Sequence, residues 1–214
     1  MSREYKVNEF SQSLAALKRR GCSLLITGPV RDGTHLRLSR RLLGDEGDIT
    51  RRRLVVITDS NSGGGDHRRP DRVDENTYRV IDRRPAMRSV ASCMCASQPS
   101  SDDITTLERD MIETIDDFDA AAGGLAPAEL RVCIDSLRPL VDRHGLAGVE
   151  PFLTTVTERI HETNGMGHVH FPIDLDCVTV SRLSPLFDII IEVRPDKHRW
   201  HLLDDDILTE WIAV

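Results

Sequence analysis

Residues 28–35 read Gly-Pro-Val-Arg-Asp-Gly-Thr-His, a turn bounded by Gly28 and Gly33. It lies between an apolar run, Leu24-Leu25-Ile26, and a stretch with apolar residues at Leu36, Leu38, Leu42 and Leu43. Strand, Gly-x-x-x-x-Gly turn and helix is the layout of a phosphate-binding loop, in which backbone N–H groups and the helix N-terminus cradle an anion. That chemistry also needs Lys and then Ser or Thr directly after the second glycine, for the phosphates and for Mg²⁺. Thr34 and His35 hold those two places. The frame is present and its two chemical side chains are replaced.

Other residue types with chemical potential carry weaker signals. His168 and His170 are two apart in a strand candidate, so they share a face, but a metal site needs further ligands. His161, Asp174 and Asp176 are near them in sequence alone. Cys93-x-Cys95 lacks the second pair that a zinc site of that type requires. Cys22 and Cys133 fall in or beside core strands, where free cysteine behaves as a small hydrophobe. Arg51-Arg52-Arg53 and Arg68-Arg69 read as solvated or acid-paired arginines ahead of a nucleic-acid patch. No Ser-His-Asp order or nucleophile signature stands out.

The elements that must position these residues alternate along the chain. Phe10, Leu14 and Leu17 mark a helix within residues 1–20, with Lys18, Arg19 and Arg20 suiting its C-terminal dipole and Gly21 ending it. A strand at 22–27, the turn, and a helix at 34–43 follow. Leu54–Asp59 is a β-branched apolar run of the kind covered on both faces of a parallel sheet. Residues 60–76, rich in Gly and Asp, read as a flexible polar loop, and 78–82 and 87–95 as short strands. Ile104, Leu107, Met111, Ile115 and Phe118 trace an amphipathic helix capped by Asp102 or Asp103. Glu129–Leu137 is a strand ending in Asp135-Ser136, residues 149–163 a helix, and Gly167–Phe171 and Phe187–Val193 further strands, before a terminal hairpin or strand pair. This alternation predicts an α/β fold with a largely parallel sheet and ligands at the strand C-terminal ends.

Composition bounds the function. A chain of 214 residues fits one domain spanning 1–214. No apolar run approaches a membrane span and residues 1–10 lack a signal-peptide core, which predicts a cytoplasmic protein without a membrane partner. The formal net charge of −7 argues against nucleic acid as the main partner. Lysines occur only at 6, 18 and 197, and Asp outnumbers Glu, a balance that suits a high-salt cytoplasm or a GC-rich genome.

Taken together, the stretches from about residue 8 to 200 resemble the RecA-like ATPase fold, and within it the KaiC-like branch; they are also similar to RecA-like proteins of haloarchaea. The resemblance implies a three-layer sandwich with a mainly parallel central sheet and a C-terminal strand pair. It places Gly28–Gly33 at the Walker A loop and the strand ending Asp135-Ser136-Leu137 at the Walker B strand, whose Asp holds Mg²⁺ through water. The segment 186–191 resembles a late strand of KaiC-like domains. A nucleotide site would then comprise Gly28, Gly33, Thr34, His35 and Asp135, with ATP or ADP and Mg²⁺ as cofactors and Asp135 as the metal residue. KaiC-like ATPases end their second strand with a glutamate pair; Asp59-Ser60 stands there, so Asp59 is the one candidate water-orienting residue.

The departures predict loss of catalysis, because the Lys and the hard-metal hydroxyl supply much of the transition-state electrostatics. Arg31 and Arg37 could replace the missing charge. The opposing reading keeps Gly28–Gly33 as a plain tight turn and Asp135 and Asp59 as strand-end carboxylates bonded to the backbone. The function expected is a non-catalytic regulatory or scaffolding domain with weak nucleotide binding, acting through protein partners and self-association as the family implies. A slow ATPase is the alternative, and a DNA-binding recombinase relative a more distant one.

Overall fold

Continuous apolar runs become strands covered on both faces. The computed structural model describes residues 2–30, 33–44, 50–59, 74–84 and 103–214. Within them run β1 (Cys22–Thr27), β2 (Arg52–Ile57), β3 (Tyr78–Asp82), β4 (Leu130–Ile134), β5 (Met166–Phe171) and β6 (Ile189–Arg194). Every pairing among these six is parallel. Strands β7 (Lys197–Leu202), β8 (Ile207–Leu208) and β9 (Ile212–Ala213) add antiparallel. The order is β3-β2-β4-β5-β1-β6-β7-β8, with β9 on β7, so β1 lies between β5 and β6 in the interior of the sheet. In β1, β2, β4 and β5 every residue is buried, as parallel strands under two helical layers must be.

Helices α1 (Ser2–Arg20), α2 (Thr34–Leu43), α3 (Ile104–Ala122), α4 (Arg138–Glu162) and α5 (Val178–Leu183) cover both faces. On one face α3, α4 and α5 meet Leu25, Leu54, Val56, Val132, Ile134 and Val169 in one unbroken apolar cluster. The other face differs. There Leu17 of α1 and Leu38 of α2 join Leu24, Ile26, Ile189 and Ile191, while Leu43 of α2 joins Val55, Ile57 and Cys133 in a separate cluster. The gap between the two follows β5, where His168 and His170 point toward α2.

The architecture is therefore α/β with a mostly parallel sheet and a C-terminal antiparallel group. Several boundaries differ from those read in the sequence. β2 begins at Arg52 and ends at Ile57, because Arg52 and Arg53 fold inward: Arg52 Nε donates to Glu129 at 3.0 Å, and Arg53 donates to the carbonyls of Leu43 and Gly44 at the end of α2. Arg52 is thus acid-paired, as one of the two expected readings had it, while Arg53 is held by main-chain carbonyls. α4 starts eleven residues before the expected 149, at Arg138, and breaks its helical geometry at Gly145. Asp103 is the N-cap of α3, accepting from Thr105 N, and Gly123 in the left-handed region ends that helix. Residues 60–73, the expected strand at 87–95, and Arg31, Arg68, Arg69, Cys93 and Cys95 lie outside the described residues. β6 and β7 form a hairpin turning through Pro195 and Asp196, whose φ of 55° suits the third position of a proline-led turn, and the tail beyond it adds β8 and β9, each pairing with β7.

Candidate functional site: a glycine turn over a buried histidine cluster

The turn leaves β1 at the C-terminal edge of the sheet, where open α/β sheets bind ligands. Gly28 has φ 124°, and a Cβ there would lie 2.2 Å from the Val193 carbonyl oxygen of β6. Its N–H donates to Ile173 O at 2.8 Å. Gly33, at φ 82° and ψ 2°, is the N-cap of α2. Both glycines of the sequence motif thus stand in conformations that side-chain-bearing residues rarely adopt. The strand, glycine turn and helix layout is present at both described ends.

The side chains at the chemical positions turn inward. Thr34 is fully buried, and its Oγ1 accepts from Arg37 at 3.1 Å and from the Asp196 N–H at 3.3 Å. Arg37 also pairs with Asp196 at 2.6 Å, so one of the two arginines considered as replacements for the Lys is engaged by the β6–β7 hairpin tip. His35 folds back beneath the turn, with Nε2 2.8 Å from Gly28 O and Nδ1 3.0 Å from His170 Nδ1. A carbonyl oxygen only accepts, so His35 Nε2 carries the proton; in the neutral ring Nδ1 then accepts, and His170 Nδ1 donates. That tautomer leaves the His170 lone pair on Nε2.

Asp135, 4% exposed, follows β4 and accepts at one oxygen from Thr58 N at 2.7 Å and Thr58 Oγ1 at 2.9 Å. The same hydroxyl lies against the Ser136 carbonyl. The carboxylate therefore fixes the exit of β2, where Thr58 precedes the half-buried Asp59. The structure brings Gly28, Gly33, Thr34, His35 and Asp135 to one edge of the sheet. It gives Thr34, His35 and Asp135 partners within the fold.

Beneath the turn lies a group that sequence spacing showed only in part. His168 and His170 of β5 meet Cys133, which is the register partner of His168 on β4. Ser39, one helical turn beyond His35 on α2, places Oγ 3.0 Å from His168 Nε2 and 3.4 Å from Cys133 Sγ. Cys133 and Ser39 are fully buried, and His168 and His170 are 3% and 1% exposed. The sulfur and two ring nitrogens lie within 4.8 Å of one another. The residues weighed as partners from sequence are elsewhere: His161 bonds to Asp188 at 2.9 Å, and Asp174 and Asp176 line a cleft beside the turn.

That cleft, of about 570 Å³, is bounded by Gly28, Val30, Asp174, Asp176, Arg194 and Arg199 among others. Its volume suits a small molecule. Its charge does not suit a polyphosphate: Arg194 and Arg199 both pair with Glu192, at 3.2 and 2.5 Å, and no ion pair to Asp174 or Asp176 occurs among the described residues.

Fold and site together define an α/β protein with a glycine turn over a buried Cys/His cluster. The chain belongs to a family of unknown function, DUF7504, whose model matches residues 21–193, from the glycine before β1 into β6. No curated protein matches the sequence.

Proposed function

We propose that this protein is a degenerate RecA/KaiC-like P-loop domain with a non-catalytic regulatory or scaffolding role, working through protein partners. One observation carries the reading: the side chains at the positions that would serve phosphate and Mg²⁺ are engaged by the fold itself. His35 bonds the Gly28 carbonyl and His170, Thr34 accepts from Arg37 and the hairpin tip, and Asp135 anchors Thr58. The placement of β1 inside the sheet, the turn at its C-terminal end and Asp135 at the same edge support the RecA-like part of the proposal.

A phosphoryl-transfer site works almost wholly by positioning and electrostatic stabilisation of the transferring group. Here no lysine follows Gly33, a buried threonine stands in its place, and the cleft at the turn is bordered by acids. Since the N–H groups of Gly28 and Val30 donate within the fold, main-chain N–H groups of the first turn of α2 are the basis for weak nucleotide or phosphate binding. Phosphate release at saturating ATP, in molar KCl with Mg²⁺, tests this. The expected rate equals that of a Gly33→Trp control; release that exceeds the control and falls in Asp135→Asn would establish the slow ATPase instead.

A further inference from the structure

On the α2 face of the sheet, two apolar clusters stop short of each other; Cys133 belongs to one of them, and the polar groups of His168, His170 and Ser39 lie beside it in the seam. Buried imidazoles and a buried thiol under a helix are costly unless each polar atom is satisfied. The geometry points to a transition-metal site here, with Cys133, His168 and His170 as ligands and Zn²⁺ as the ion.

The ligand set comes from two adjacent strands in the interior of the sheet. His168 and His170 are on one face of β5, and Cys133 faces His168 across the parallel β4–β5 ladder. Zinc bonds of about 2.0–2.3 Å to nitrogen and sulfur require ligand atoms about 3.3–3.8 Å apart in a tetrahedron. The three donor atoms already lie within 4.8 Å of one another, so a small rotation of the side chains closes the set. The Ser39 hydroxyl contacts both Cys133 and His168, in position to donate to the thiolate or to fill the fourth place. One thiolate and two imidazoles favour zinc over Mg²⁺ or Ca²⁺, which need oxygen ligands. Binding displaces the Cys133 Sγ–H proton to solvent and leaves both imidazoles neutral.

Around the ligands stands an orienting chain. Gly28 O holds His35, and His35 holds His170, the role that a hydrogen-bonded second imidazole nitrogen plays in fixing a metal-binding ring. The bound ion would tie β4, β5 and, through Ser39 and His35, α2 and the glycine turn into one unit. This inference is independent of nucleotide binding.

Cobalt titration of the full-length, chelator-treated protein tests it. The expected result is one Co²⁺ per chain with a thiolate-to-cobalt charge-transfer band, competed away by one equivalent of Zn²⁺. In Cys133→Ala the band should vanish, and in His168→Gln the Co²⁺ affinity should fall at least tenfold. If Cys133→Ala does not fold by circular dichroism, the wild-type chain decides: Zn²⁺ should raise its Tm and slow alkylation of Cys133, mapped by mass spectrometry in mild denaturant. No charge-transfer band in the wild type, a band that persists in folded Cys133→Ala, or Zn²⁺ that leaves Tm and Cys133 alkylation unchanged would overturn the proposal.

Discussion

Gly28 is constrained by φ and by space, whereas Gly33 is constrained by φ alone. A methyl group at residue 28 would overlap the Val193 carbonyl at 2.2 Å, while at residue 33 the nearest atom is a flexible Arg37 nitrogen at 3.9 Å. Gly33→Ala should therefore cost about 1–2 kcal/mol, the left-handed penalty, and Gly28→Ala distinctly more, because β6 must move. Chemical denaturation of the two variants gives the comparison. Asp188 supplies a second residue-level expectation. Burial pushes its carboxyl up, but hydrogen bonds from His161 and Ser23 outweigh that and hold it below the usual carboxylate range. A depressed native pKa gives stability that is present above the unfolded value, near 3.8, and lost as pH falls through the native one. Stability of the wild type should drop more steeply below about pH 4 than that of Asp188→Asn. The thiols differ too: burial drives Cys22 up to about 12, while hydrogen bonding from Thr179 lowers the half-buried Cys177. Among these two, Cys177 should be alkylated in the native protein and Cys22 only on unfolding, read by mass spectrometry.

At the scale of elements, periodicity located most strands and helices within a few residues, since apolar runs and amphipathic stripes are local signals. β1 and α2 start and end where the sequence placed them. The failures have physical reasons. The apolar run starts at Leu54, yet Arg52 and Arg53 lie within β2, because Glu129 pairs with Arg52 and the carbonyls of Leu43 and Gly44 accept from Arg53. The early part of α4 was missed where Pro139 and Gly145 interrupt its pattern. The His168–His170 alternation was legible; Cys133 and Ser39 beside it were not, because the β4–β5 register and the i, i+4 face of α2 bring them together only in three dimensions. At the C-terminal end, Trp211 is stacked by Arg194, Arg199 and Lys197, with charge-to-ring distances of 4.4, 4.9 and 5.3 Å. β9 is two residues long and gains little from its own ladder. Trp211→Ala should cost only about 0.5–1 kcal/mol yet speed amide exchange at Ile212 and Ala213, measured by hydrogen–deuterium exchange.

Across the whole molecule, a sheet that matches the expected α/β plan carries an edge at which Thr34, His35 and Asp135 are engaged by the fold. Among the described residues no helix is long and apolar enough to cross a membrane. The glycine turn, α2 and the β6–β7 hairpin meet through Thr34, Arg37 and Asp196, so a partner that gripped the hairpin would act directly on the turn. We propose that this edge does not use metal to hold phosphate. Calorimetry of ATP and ADP with the purified chain, with and without Mg²⁺ in molar KCl, tests it most directly. The expected result is weak or no binding that Mg²⁺ leaves unchanged, because Asp135 and His35 are engaged within the fold. Tight binding that requires Mg²⁺ and is lost in Asp135→Asn would contradict it.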